Sequence, residues 1–124
     1  MNKKHITHGK LKVFMILFLA VILIVLVVVC AKKIKLSQNE KNIIGTWKNS
    51  NSENVITVQD SEALILYNDI PEAGLYHGNA SYHFSYTDTI CVTQDDISAE
   101  FCVDVDENQL IIYFAGQVYL VLQK

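Results

Sequence analysis

Two different hydrophobic patterns divide this chain. From Val13 to Ala31 nineteen consecutive residues are apolar, whereas beyond about Ile43 apolar and polar residues alternate in short segments. An uninterrupted apolar run of that length forms a helix of about 28 Å, which is close to the hydrocarbon thickness of a bilayer. Alternation with a period of two is typical of half-buried β-strands. The pattern therefore predicts one N-terminal transmembrane helix followed by an all-β domain.

The alternating region divides into about eight predicted strands. Short segments rich in Asn, Asp, Ser and Gly separate them, and links of this kind join antiparallel neighbours. The predicted strands are 43–48, 55–59, 63–67, 80–87, 89–93, 99–105, 109–114 and 117–122. We therefore expect a small antiparallel meander that is curled into a barrel or a strongly twisted sheet.

One predicted strand carries a row of aromatic side chains. Tyr82, Phe84 and Tyr86 share one face, and the opposite face carries small polar residues and His83. An exposed aromatic row could bind a sugar or a peptide. Because the other face is polar, we expect instead that all three aromatic residues pack in the core.

Charge separates the chain into the same two parts. Residues 1–35 carry seven lysines and no acid, formally +7, whereas residues 36–124 carry three lysines and all thirteen acidic residues, formally −10; the sum is the net charge of −3. The chain contains no arginine. Phosphate backbones repel an acidic domain, so we expect no nucleic acid partner, whereas the basic segment suits anionic lipid headgroups.

The lysines around the apolar run also predict its orientation. Four precede it and three follow it, and this excess favours a cytoplasmic N-terminus and an extracytoplasmic domain. The predicted organisation is a cytoplasmic basic tail (1–12), a transmembrane anchor (13–31), a polar stalk (32–42) and an extracytoplasmic β-domain (43–124). Cell membrane localisation with a single pass follows from it.

Processing of the N-terminal segment has three alternatives: an uncleaved anchor, a cleaved signal, or a lipoprotein signal that ends at Cys30. The run exceeds the length of a cleavable signal core, and no small-x-small cleavage site follows it, so the anchor is favoured. The segment before Cys30 (Leu-Val-Val-Val) resembles the bacterial lipobox but has Val29 where that pattern has Gly, Ala or Ser. Cys30 is therefore a lipidation candidate.

The other two cysteines lie on the polar faces of neighbouring predicted strands. If the hairpin closes through a loop at 95–98, Cys91 lies directly opposite Cys102. Directly opposed residues of an antiparallel pair have Cα atoms about 4.5 to 5.5 Å apart, which a disulfide can bridge. We therefore expect a bond between Cys91 and Cys102. A register shifted by two residues would instead keep both on the same face as separate free thiols.

The domain begins with Ile-Ile-Gly-Thr-Trp (43–47). This segment resembles the Gly-x-Trp opening strand of lipocalins and fatty-acid-binding proteins, and of short lipocalin-like domains in bacterial envelope proteins. The resemblance implies an up-and-down barrel in which Gly45 and Trp47 lie at one closed end, and an interior that can hold a small apolar ligand. In that family an arginine of a late strand covers the Trp, whereas here Lys124 is the only basic residue near the end. A domain of this size is expected to fill most of its interior with its own side chains.

No constellation of residues points to catalysis. Nucleophile-elbow, zinc-ligand and EF-hand patterns are absent, so we expect neither an enzyme nor a cofactor. The longest irregular connection, residues 69–79, is the expected partner-binding loop, with Pro71, Gly74, Tyr76 and His77 as candidates. We expect a membrane-anchored binding module at a bacterial cell surface, with membrane lipid and a protein as partners. The alternatives are a lipocalin-like carrier of a small apolar ligand and an accessory subunit of a membrane complex.

Overall fold

The computed structural model describes residues 3–124, with side chains from Gly9 onward. A long helix, α1 (Lys3–Asn42), precedes eight strands. The strands are β1 (Gly45–Lys48), β2 (Asn54–Val58), β3 (Ala63–Leu66), β4 (Gly78–Tyr86), β5 (Thr89–Gln94), β6 (Ile97–Val105), β7 (Gln109–Phe114) and β8 (Gln117–Gln123), with a 3-10 turn at Pro71–Ala73. The chain divides into two units at residue 34, so the end of α1 belongs to the same unit as the strands.

One N-terminal helix is long and apolar enough to cross a membrane, as the sequence predicts. Its apolar side chains are exposed along the described part of the first unit. The helix does not stop at the end of the apolar run, because the following polar segment contains neither Gly nor Pro to interrupt it. The segment predicted as a stalk is therefore helical as far as Asn42, and from Lys35 onward it belongs to the strand-containing unit.

The eight strands form a closed antiparallel barrel in which every strand pairs with its neighbours in sequence, and this confirms the predicted all-β meander. Inward-facing apolar side chains from all eight strands make one core. The closing seam between β1 and β8 is the shortest in the barrel, since a single residue pair, Lys48 with Gln123, joins these strands.

Bulges break the inward-outward alternation at several points in the barrel. In β2 the extra residue allows Val55 and Ile56, which are consecutive, both to be buried. In β4 the extra residue is Ser85, so Phe84 packs against the core whereas Tyr86 points outward and is 70% exposed. The expectation that Tyr86 shares the core-facing side of its strand is therefore wrong, because a bulge shifts every later side chain to the other face.

The end of α1 is joined to the barrel by polar and apolar contacts. Asn39 is buried, and its Nδ2 donates a hydrogen bond of 2.8 Å to the carbonyl oxygen of Thr87, in the turn between β4 and β5. Ile43, one turn later along the chain, is also buried in the core. These contacts fix the last turn of the helix against the barrel wall.

The β5–β6 hairpin differs from the prediction by two residues in register. Its turn contains only Asp95 and Asp96, and Asp95 adopts a positive φ of 53°, which aspartate tolerates better than most residues. As a result Cys91 lies opposite Glu100, and Cys102 lies opposite Thr89. The predicted pairing of Cys91 with Cys102 is wrong, and both thiols are free in this structure. A shift by two residues preserves the polar face, so the alternating pattern alone does not distinguish the two registers.

Candidate binding surface on the β3–β4 loop

The barrel interior is filled by the protein's own side chains. An apolar cavity inside the barrel has a volume of about 20 Å³. That volume accommodates about one water molecule, whereas pockets for small organic ligands usually measure roughly 300 to 1,000 Å³. The interior described here therefore lacks room for a ligand of that size.

Gly45 and Trp47, the residues predicted at the closed end of the barrel, are packed against other parts of the chain. Trp47 is fully buried, and its Nε1 donates a hydrogen bond of 2.8 Å to the carbonyl oxygen of Ile43. Lys124 covers the Trp47 ring with its Nζ 5.0 Å from the ring centre. Gly45 has a φ of 138°, and a Cβ there would lie 3.0 Å from Cε of Lys124. A side chain at position 45 would therefore be strained by its backbone and would press on the lysine.

The β3–β4 connection folds back on itself and covers the end of the barrel. Ile70 and Leu75 pair through two backbone hydrogen bonds of 2.8 and 3.1 Å, and the side chains of both are buried. Between them, Pro71 begins the 3-10 turn, and Gly74 ends it in the left-handed conformation with a φ of 74°. Ile70 and Leu75 both line the interior cavity, so the loop contributes two side chains to the core.

The side chain of Gln94, at the end of β5, fixes the part of the loop that leads into β4. Its Nε2 donates a hydrogen bond of 2.8 Å to the carbonyl oxygen of Tyr76, and its Oε1 accepts one of 2.8 Å from the Tyr76 backbone N–H. This two-way arrangement reproduces the contacts that a neighbouring β-strand would make. The backbone at Tyr76 is therefore held in place although it lies outside the sheet.

Asp69 fixes the next residue of the loop. One carboxylate oxygen accepts a hydrogen bond of 2.9 Å from the His77 backbone N–H and lies 2.6 Å from Nδ1 of the His77 ring. These contacts hold the pKa of Asp69 below its usual value, and the hydrogen bond from the backbone N–H has a larger effect than the contact with the ring. Elsewhere in the loop, Glu72 accepts a hydrogen bond of 3.0 Å from the Tyr119 hydroxyl. The pKa of Tyr119 is raised mainly by burial and to a smaller extent by this contact with Glu72.

The fixed loop presents side chains to solvent. Tyr76 is 62% exposed, His77 is also exposed, and Ile97 of β6 is 43% exposed. A Cβ on Gly74 would lie 3.5 Å from the Ile97 side chain, so loop and hairpin meet there. We call Gly74, Tyr76, His77 and Ile97 the loop surface. The four residues predicted from the sequence, Pro71 among them, all belong to this loop, whereas the contributions of Gln94 and Ile97 were not predicted.

Two further kinds of site were considered from the sequence, a lipidation site at Cys30 and a metal site. Cys30 is exposed on the apolar part of α1, and its lipidation stays a prediction. Among the residues whose side chains are described, no group of three His, Cys, Asp or Glu residues could hold a metal ion. No known protein family, curated protein or solved structure matches this chain.

Proposed function

We propose that this protein is a membrane-anchored binding module whose barrel lies outside the cytoplasmic membrane and binds a protein partner through the loop surface. The single observation that carries the proposal is the two-way contact between Gln94 and Tyr76, which fixes the backbone while the Tyr76 ring stays 62% exposed. A loop that is already ordered loses little conformational entropy on binding. Exposed tyrosines are also enriched at protein interfaces.

We infer the attachment and the orientation of the protein from α1 and its charged flanks. The helix is long and apolar enough to cross a bilayer once, and the excess of lysines before the apolar run favours a cytoplasmic N-terminus. In this arrangement α1 contacts membrane lipid and remains as an uncleaved anchor. Acyl labelling of the wild type and of Cys30→Ala distinguishes this attachment from a lipidated form, since only a lipoprotein would lose label in the variant.

The filled interior does not favour the alternative of a lipocalin-like carrier. A cavity of about 20 Å³ would have to expand more than tenfold to hold a small organic ligand. We therefore place binding on the outer surface rather than inside the barrel.

Site-specific photo-crosslinking in intact cells tests the loop surface. Tyr76 is replaced by p-benzoylphenylalanine, which keeps an aromatic side chain there, and Asn51 in the exposed β1–β2 turn receives the same replacement as a control. We expect a discrete adduct of increased mass from position 76 and none from position 51. Adding Gln94→Ala should reduce the adduct, because the loop backbone loses its support. Equal adducts at both positions, or none at position 76, would contradict the proposal.

A further inference from the structure

A second concave surface lies on the outer wall of the barrel, away from the loop surface. It is a slot with a volume of about 430 Å³. Its lining residues are Tyr86, Thr89, Glu100, Cys102, Tyr113, Ala115 and Gly116. Nothing in the loop surface contributes to it, so the slot is separate from the site proposed above.

The strand register explains the shape of the slot. Thr89 lies opposite Tyr86 on one side and opposite Cys102 on the other. Cys102 in turn lies opposite Tyr113. The four residues therefore form one row across β4, β5, β6 and β7, whose neighbouring strands are about 4.8 Å apart. The two small central side chains form the floor, and the two tyrosines form the walls.

The wall at Tyr86 exists because of the bulge in β4. By simple alternation Tyr86 would face the core together with Tyr82 and Phe84, but the extra residue Ser85 turns it outward. Its ring is 70% exposed. Bulges commonly re-aim one side chain at a functional site. The outward ring thus gives the slot an aromatic wall that the alternating sequence would not otherwise produce.

Charge determines which ligand suits the slot. Glu100 is the single charged residue in its lining, and no lysine is among the lining residues. In the part of the chain with described side chains, no cationic group lies within 4.0 Å of the Glu100 carboxylate. The unit Lys35–Lys124, to which the slot belongs, carries thirteen acidic residues against four lysines, at 35, 41, 48 and 124, so its formal net charge of −9 also favours a cation.

We propose that this slot binds an alkylammonium group, that is, a positive charge on an apolar stem. Tyrosine rings attract a cation to their faces, and the carboxylate of Glu100 adds a direct charge interaction. The floor of Thr89 and Cys102 leaves room for the stem. A lysine side chain of a protein segment and a free small alkylammonium ion share this chemistry.

Fluorine NMR of the full-length protein in a nonionic maltoside detergent tests the proposal. The protein is labelled with 3-fluorotyrosine and titrated with n-butylammonium, and 1-butanol serves as the uncharged analogue. We expect saturable shifts of the Tyr86 and Tyr113 signals, with a dissociation constant on the order of millimolar, and no comparable shift of Tyr76. Non-saturable shifts, or equal responses to 1-butanol, would overturn the proposal.

Variants separate the contributions of charge and ring. Glu100→Gln and Tyr86→Ala should each weaken the binding of n-butylammonium by at least about twofold. Tyr86→Phe should retain the binding because the aromatic face is kept. Glu53→Gln in the exposed β1–β2 turn is the matched control and should bind normally. Since Glu100 and Tyr86 are exposed, these substitutions should leave the fold intact, which the Trp47 fluorescence reports. Normal binding by Glu100→Gln would refute the assignment.

Two peptides distinguish the sources of the ammonium group. One is a capped tripeptide with a central lysine, and the other has norleucine at that position. Binding of the lysine peptide at least tenfold tighter than n-butylammonium identifies a protein segment as the ligand, and equal affinities identify a free alkylammonium ion. Equal binding of the norleucine peptide would contradict recognition of the charge.

Discussion

Nζ of Lys124 lies 5.0 Å from the centre of the Trp47 ring and donates a hydrogen bond of 3.0 Å to the carbonyl oxygen of Asn42. One side chain therefore joins β1 and the end of α1 to the chain that follows β8. The seam between β1 and β8 contains a single residue pair, so this contact supplements the shortest junction of the barrel.

Removing the Lys124 charge should destabilise the barrel. Lys124→Met keeps the aliphatic stem but loses the cation–π contact and the hydrogen bond, and we expect the free energy of unfolding to fall by about 1 kcal/mol. Urea unfolding in nonionic detergent, followed by Trp47 fluorescence, measures this change. Lys48→Met is the control, because Lys48 is exposed, and it should change stability little. A Lys124→Met protein as stable as Lys48→Met would show that the contact contributes nothing.

Losing the Gln94 side chain should loosen the loop surface without unfolding the barrel. In Gln94→Ala the backbone N–H of Tyr76 loses its acceptor. Since each such hydrogen bond contributes about 0.5 to 1.5 kcal/mol, we expect amide hydrogen exchange at Tyr76 to accelerate roughly tenfold. Exchange in the β5 and β6 backbones should stay unchanged, as it should everywhere in the control Gln117→Ala. Unaltered exchange at Tyr76 would contradict the role given to Gln94.

Acid should release the contact between Asp69 and His77. The His77 backbone N–H and then its ring lower the pKa of Asp69 from the usual 3.8. Because the folded-state pKa is the lower one, the stabilising contact is complete above about pH 4 and is lost as the pH falls through the folded-state value. NMR titration of the Asp69 carboxyl carbon should give a midpoint below 3.8, and the His77 amide should follow it. The amide transition should vanish in Asp69→Asn, whereas a midpoint at or above 3.8 would refute the contact.

The observed register of the β5–β6 hairpin makes a prediction about thiols. Cys91 and Cys102 are diagonal neighbours, whereas Thr89 lies directly opposite Cys102 with its Oγ1 3.9 Å from Sγ. Peptide mapping after alkylation without reductant should find both native cysteines modified. Under mild oxidation Thr89→Cys should form a disulfide with Cys102, since directly opposed residues have suitable spacing. A native peptide pair linked through Cys91 and Cys102 would contradict the observed register.

The number and order of the strands could be predicted from the sequence because the barrel is a meander with short turns. Each strand therefore lies beside its neighbour in sequence, and alternation identifies most of the inward side chains. The helix was predictable for a related reason, since no soluble core of this chain could bury the uninterrupted apolar run beginning at Val13.

Details that depend on one extra residue or one side chain could not be predicted. The alternating pattern of β4 is the same with or without a bulge at Ser85. The sequence therefore does not reveal that Tyr86 points outward. The hairpin register was ambiguous because a shift by two residues keeps Cys91 and Cys102 on the same face. Gln94 supports the loop from β5, 18 residues further along the chain than Tyr76, and glutamine at a strand end carries no signal for such a contact.

Labelling of single cysteines in intact cells tests most directly whether α1 holds the barrel outside the membrane. Cys102 is exposed on the barrel, and a chain that keeps only this cysteine is treated with a membrane-impermeant reductant and then with an impermeant maleimide. A second chain carries Asn2→Cys as its sole cysteine. We predict labelling of Cys102 in unbroken cells and labelling at position 2 only after permeabilisation. The reverse result would place the barrel in the cytoplasm and would contradict the proposed function.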